Sequence, residues 1–291
     1  MTTIHEPFVR RMADSGAEVF EIEPWKAFGE LSAGFTGRSG GVSEGFRASL
    51  NCALHVGDDP ASVAENRARV AEAAGFRFED WTSGEQVHQA EVAIVTEKDR
   101  GRGRLDRESA FQDTDGLLTN VPGILLTSFY ADCVPLYFFD PIQRVVGLAH
   151  AGWKGTVAEI GRRMVEKMAG HYGSLPEDIL GAIGPCIGES RYEVDGAVLD
   201  KVRVLLEKDS GNDSSSLSDF SKDLGGGKAL LNLKELNRHI MIRSGIRPEN
   251  IQRTSWCTSS RTDLFFSHRQ ENGRTGRMAS WIGLKEGGTF R

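Results

Sequence analysis

The chain has no apolar run of the ~18 residues that a membrane-spanning helix needs, so no membrane partner is expected. The stretch from Met1 to Met12 carries no apolar segment of the kind that marks a secretory leader, which points to a cytoplasmic protein. Cysteine is scarce: Cys52, Cys133, Cys186 and Cys257 stand far apart without a C-x-x-C pair, which argues against a disulfide framework and a short-spaced zinc finger. Reduced thiols are expected. Histidine is also sparse, with 7 residues and no H-x-H pair, so the many imidazoles of a multi-copper centre are missing. No G-x-x-x-x-G-K-[ST] string is present, which excludes a phosphate loop of the nucleoside triphosphatase type. The H-x-E with P-C-x-x-C pattern of the known zinc deaminases is missing too. No period of ~20–50 residues recurs, so solenoids and propellers are unsupported. Nor is there an excess of positive charge. The net charge is −6, and Arg100-Gly101-Arg102-Gly103-Arg104 is diluted by Asp99 and Asp106, so nucleic acid is not the expected partner.

What is present is an ordinary globular composition, 39% hydrophobic and 26% charged over 291 residues. An acidic cap, Pro60 and Gly75 bracket a helix between Asp58 and Gly75. A second helix is predicted from about Thr156 to Ala169, stopped by Gly170. A third starts at Asn232, with Glu235 completing a capping box, and ends at Gly245; another spans about Asp195 to Glu207. Strands are predicted at Leu31 to Phe35, Val92 to Val95, Ile124 to Phe129, Val145 to Ala149, Ile179 to Ile183 and Met278 to Leu284. The class is therefore α/β or α+β, with an alternation too irregular for a barrel of βα units. No domain boundary stands out within 1–291. The Ser-, Asp- and Gly-rich segment 209–228 reads as a mobile surface insertion.

The most informative stretch runs from Val145 to Thr156, where an apolar strand delivers His150 to a glycine-lined turn at a helix mouth. Open α/β sheets place their chemistry at such joints. Gly152 and Gly155 leave room for backbone N–H groups to approach an anion such as phosphate, with Lys154 adding charge; glycines easing strand-to-helix packing are the alternative. His88 in Glu85-Gln86-Val87-His88 and Cys133 in Asp132-Cys133 follow apolar or β-like runs, as His150 does. Taken singly, each histidine reads either as a metal ligand or as a buried ring bonded to backbone, and Cys133 as a ligand or as core. Asp132 is a candidate to orient a ligand or accept a substrate proton, although strand alternation would point it away from Cys133. Arg277 is favoured over Arg269 and Arg274 as a guanidinium fork for phosphate or ribose oxygens. Asn51 and His55 either line the same cleft or make capping and turn bonds before the Pro60 helix. Cys186 reads as core in a tight turn, and His268 as a surface or structural residue.

Seven ordered segments carry a family resemblance: SLNCALHVGDDP, GEQVHQAEV, DTDGLLT, ADCVPLYFFDP, VVGLAHAGWKGT, AIGPCIG and FFSHRQENGRTGRMASWIGL. Together they resemble the YfiH-like family, long labelled polyphenol oxidase or laccase-domain proteins and associated with purine nucleoside phosphorylase activity. The resemblance implies mixed β-sheets sandwiched by helices, similar to the catalytic domain of cytotoxic necrotizing factors. It implies a bound metal, most often zinc with copper as the alternative, held by His88, Cys133 and His150. Two imidazoles and a thiolate leave one tetrahedral position open, as a catalytic site requires. The implied partners are purine nucleosides and phosphate, with products base and ribose 1-phosphate; adenosine deamination and methylthioadenosine phosphorolysis belong to the family's reported breadth. The family's arginine pair followed by an acid is replaced here by Arg269-Gln270-Glu271. Two other readings stay open at this point: a copper-dependent polyphenol oxidase, and a hydrolase or deamidase with Cys133 as nucleophile and His150 as base.

Overall fold

The computed structural model describes residues 6–208 and 215–287. Its two large sheets lie face to face with helices on both outer sides. The first has the strand order Phe8–Met12, Glu18–Ile22, Leu31–Thr36, Met278–Leu284, Leu125–Tyr130, Trp81–Ser83, antiparallel except for its last pair. The second has the order Ile251–Arg253, Leu180–Ile183, Val134–Asp140, Val145–Ala151, Gly116–Thr119, Val92–Ile94, antiparallel inside and parallel at both edges.

Side-chain alternation along the central strands explains the layering. In Val134–Asp140, Tyr137 and Phe139 face the first sheet, where they meet Phe35, Tyr130 and Ile282. Leu136 and Phe138 face the other way, against Met164, Leu236 and Ile240 of the helices Ile160–Tyr172 and Leu233–Arg243. Successive residues of a strand point to opposite faces, so a strand covered on both sides reads as an unbroken apolar run. Every residue of Val134–Asp140 and Val145–Ala151 is buried. A third core seats the helix Pro60–Ala74 on the outer face of the first sheet, through Val70 and Ala74 against Trp81, Leu125 and Trp281. Each fully buried large apolar side chain stabilises such layers by about 1.5–3 kcal/mol.

The α/β class, the mixed sheets sandwiched by helices and all six predicted strands are present. The Pro60 helix is capped by the Asp59 carboxylate on Ala61 and Ser62 N–H and closed by Gly75 at φ 80°. The helix predicted from Thr156 to Ala169 is corrected into two, Trp153–Val157 and Ile160–Tyr172, broken where Glu159 takes a left-handed φ of 58°. Gly170 does not stop it; Gly173, at φ 73°, does, donating its N–H to the Met168 and Ala169 carbonyls. At Asn232 only half of the capping box forms: its side chain accepts the Glu235 N–H, while its own N–H goes to the Phe220 carbonyl. Of the segment read as an insertion, residues 209–214 lie outside the described residues. Within the remainder, Ser221–Gly225 and the start of Lys228–Leu231 pair as strands of a small sheet completed by Glu193–Asp195.

Candidate functional site

His150 is the penultimate residue of Val145–Ala151 and shares the face of Val146 and Leu148, so its ring enters the space between the two large sheets, 5.4 Å from the Tyr130 ring. Asp115 precedes the neighbouring strand Gly116–Thr119, and its Oδ1 lies 2.8 Å from His150 Nδ1. Its backbone carbonyl also accepts the His150 N–H at 2.8 Å. The same carboxylate accepts the N–H groups of Val87, His88 and Gln89 at 3.1, 3.1 and 2.9 Å, so the loop that carries His88 is wrapped around it. That wrapping needs left-handed backbone at Gln86 (φ 63°) and His88 (φ 61°). Gln86 holds the loop to the first sheet with two bonds to the Phe129 main chain, at 2.9 and 2.7 Å.

Cys133 sits in the tight connection between Leu125–Tyr130 and Val134–Asp140, beside Asp132 at φ 85°. The ligand atoms of His88, Cys133 and His150 all lie within 4.8 Å of one another, the only such group among the described residues. The two imidazoles meet edge to face, 4.8 Å between centroids. Burial would raise the Cys133 thiol, but the adjacent His150 and His88 rings reverse this and bring its pKa down to about 6. For His150, burial lowers the pKa, and the Cys133 sulfur and Asp115 carboxylate outweigh it to give about 9. Burial also opposes ionisation of Asp115, yet the His150 ring and the loop N–H groups hold its carboxyl below the ordinary range. Cys133 and His150 thus form a thiolate–imidazolium pair, and a metal binding there takes the thiolate as it stands and displaces the proton on the His150 ring.

Gly152 keeps the group compact. A Cβ there would lie 3.1 Å from Cys133 Sγ and 3.1 Å from His88 Cδ2. Gly155 serves packing, since its Cβ would press on the Gln89 and His150 carbonyls at 3.0 and 3.3 Å. Neither glycine borders the cavity described below. Lys154 is exposed, its Nζ 5.8 Å from the Trp153 ring centroid, and it too lies off the cavity. The two glycines and Lys154, expected to cradle an anion, thus lie off the cavity lining, and the first bond of the short helix runs from Thr156 N–H to the Gly152 carbonyl at 2.9 Å.

The three ligands open into a cavity of about 360 Å³, which falls in the range of small-molecule sites. Trp153, Ile187 and Tyr192 give it an apolar wall, Arg269 and Arg277 a cationic one, and His55 lines it as well. Arg277 is anchored by Nη1 on the Thr275 and Gly276 carbonyls, both at 3.0 Å, and has no ion pair among the described residues. Asn51 is fully buried and does not reach the cavity; its Oδ1 accepts the Arg277 backbone N–H at 2.9 Å and so positions that residue. Desolvation, then the positive charge of Arg277, Arg107 and Arg67, pushes the His55 pKa down to about 4. Asp132 borders the cavity, but its oxygens already accept three bonds: from Thr258 Oγ1 (2.6 Å), Ser267 Oγ (3.0 Å) and Arg269 N–H (2.7 Å). A carboxylate so engaged ties the 258–269 segment to the Cys133 turn.

Asp115 and Gln86, which organise the ligands, were not singled out by sequence reasoning. The Asp-Thr-Asp-Gly string containing Asp115 was a visible signal, as an acid directly before a strand that neighbours the His150 strand.

The chain is similar to known proteins over most of its length. The chain is 43% identical over 258 residues to purine nucleoside phosphorylase YlmD of Bacillus subtilis (strain 168), covering 88% of this chain and 90% of that one. It is 43% identical over 259 residues to purine nucleoside phosphorylase YlmD of Geobacillus stearothermophilus, covering 89% and 92%. The crystal structure of YlmD from Geobacillus stearothermophilus superposes with a TM-score of 0.89 at 40% identity, over 97% of this chain and 100% of that one. A hypothetical protein YfiH of Bacillus licheniformis gives 0.87 at 40% identity, over 95% and 99%. Residues 32–285 match the family described as multi-copper polyphenol oxidoreductase laccase, and the chain belongs to that family.

Proposed function

We propose that the chain is a metal-dependent purine nucleoside phosphorylase, converting adenosine, inosine or guanosine and phosphate to base and ribose 1-phosphate. The observation that carries this reading is a nitrogen-sulfur-nitrogen ligand group opening into a cavity whose cationic wall includes Arg277, an arginine without an acid partner among the described residues. The names of the relatives support the reaction.

The donors fit the metal. With Nδ1 engaged by Asp115, His150 offers Nε2, and the Cys133 thiolate and the His88 ring complete three positions. Such a set suits zinc with one position left for substrate or water, and copper binds the same donors. When bound, the metal supplies Lewis acidity toward an oxygen placed in that position. Arg277 then binds phosphate through the N–H groups not used on Thr275 and Gly276, a charge-assisted contact in a largely desolvated place. The Trp153, Ile187 and Tyr192 wall takes the flat purine and keeps water from the sugar. Asp132 fixes Arg269 and the 258–269 segment against the cavity. Adenosine deamination and methylthioadenosine phosphorolysis are included as further activities of the same site. Four free thiols suit a reducing compartment, and we place the protein in the cytoplasm.

A second reading is favoured by one observation: Cys133, His150 and Asp115 also form a thiolate, imidazole and carboxylate chain of the kind that cysteine hydrolases use. Polyphenol oxidation by one copper ion in the same ligands is a third. Incubation with adenosine and phosphate, followed by chromatography, separates them. Adenine formed only with phosphate present and abolished by chelation supports the phosphorylase. Activity that survives complete metal removal supports the hydrolase, and phenol turnover without base release supports the oxidase.

A further inference from the structure

Cys186 and Cys257 are bridge partners in two segments that run parallel outside the named strands, with Thr258 N–H donating to the Cys186 carbonyl at 3.0 Å. Paired chains lie about 4.7–4.9 Å apart. That spacing falls within the ~4.4–6.8 Å between α-carbons that disulfides span. Both thiols are free. We propose that Cys186 and Cys257 are a peroxide-oxidisable pair, a modification site behind the cavity wall that closes into a disulfide.

The two cysteines differ in the ways the chemistry requires. Cys257 is partly exposed, and its Sγ accepts the Gly188 N–H at 3.1 Å, which fixes the sulfur in place. Gly188 has no side chain to crowd it: a Cβ there would lie 3.2 Å from that sulfur. Cys186 is completely buried, and burial pushes its thiol up to about 11, so it stays protonated until a partner sulfur is activated. Cys257 sulfur attacks hydrogen peroxide, forming an S–O bond as the O–O bond breaks and water leaves. Cys186 sulfur then attacks Cys257 sulfur, forming the S–S bond; the S–O bond breaks, and hydroxide leaves as water with the Cys186 proton. Both sulfurs are oxidised, and one peroxide is reduced to two waters.

The site is placed to be felt in the cavity. Ile187, next to Cys186, borders it and donates its N–H to the Asp132 carbonyl at 3.0 Å, and Thr258, next to Cys257, bonds the Asp132 carboxylate at 2.6 Å. Closure cross-links the two segments that hold Asp132.

The test is treatment of the metal-loaded protein with hydrogen peroxide, alkylation of remaining thiols, and mapping of non-reduced peptides by mass spectrometry. The expected result is a loss of about 2 Da, reversed by dithiothreitol, with one cross-linked peptide pair containing Cys186 and Cys257. Cys186→Ser should stop at a dimedone-reactive sulfenic acid on Cys257, and Cys133→Ser should still cross-link. A cross-link involving Cys133, or full alkylation of Cys186 and Cys257 after peroxide, overturns the proposal. Wild-type mapping decides by itself should either variant fold poorly, and it is independent of phosphorylase activity.

Discussion

Asp115 and His150 are joined twice, Oδ1 to ring Nδ1 and carbonyl to backbone N–H, both at 2.8 Å. The first contact fixes the ring so that Nε2 is the nitrogen left for a metal. The second fixes the strand end that carries the ring. Because Asp115 also gathers the Val87–Gln89 N–H groups, one buried carboxylate sets the positions of two ligands from distant parts of the chain.

Asp115→Asn keeps the shape but loses the charge that favours a donating Nδ1–H. Metal affinity, measured by competition with a chelator, should fall about 10–100-fold, as for other groups that orient metal-bound histidines. An unchanged affinity would separate Asp115 from the ligand group.

Gly152→Ala introduces a Cβ 3.1 Å from both Cys133 Sγ and His88 Cδ2, at a φ of −68° that any residue accepts. The expected outcome is weakened metal binding with little change in thermal stability. A large fall in melting temperature with normal metal content would show that the glycine serves the backbone instead.

Arg277→Gln should raise KM for phosphate more than KM for the nucleoside. Loss of a hydrogen-bonded charge costs about 1.5–3 kcal/mol, and the change in KM for phosphate should be about tenfold to a hundredfold at ~1.4 kcal/mol per decade. Equal effects on both constants would remove Arg277 from the phosphate contact.

Acid stability should depend on Asp80, far from the ligands. Burial would raise its carboxyl, but Arg77 and Arg100 bond it at 2.9 and 3.0 Å and hold the carboxyl below its ordinary value. A carboxylate depressed in the folded state contributes stability that is complete above its unfolded pKa of about 3.9 and lost as pH falls through the folded value. Asp80→Asn should lower stability at neutral pH and flatten the acid limb of urea unfolding midpoints. An equally steep limb in the variant would contradict this.

The parts of this molecule that were legible in sequence were those encoded by local pattern. The Pro60 helix has its cap, proline and closing glycine in one window, and the central strands read as apolar runs because they are covered on both faces. Val134–Asp140 escaped notice as a strand because Pro135, which lacks a ladder donor, normally marks an edge or a break. The break at Glu159 escaped because left-handed backbone at a glutamate has no residue-type signature. At the site, His88, Cys133 and His150 were recognisable only through the family resemblance, since spacings of 45 and 17 residues carry no geometry. Asp115 and Gln86 act through contacts with loops and strands remote in sequence, and Asp132 accepts bonds from partners more than a hundred residues away. Lys154 looked like an anion ligand because its neighbours are glycines, but the turn of the helix carries it outward.

The most direct test measures bound metal and phosphorolysis of adenosine in the same preparations of wild type, His88→Ala, Cys133→Ser and His150→Ala. Stoichiometric zinc and phosphate-dependent adenine release in the wild type, lost together in each variant and in chelated protein and restored to the wild type by added zinc, is the predicted result. Undiminished adenine release from metal-free protein, or no base release from fully loaded wild type, would contradict the account.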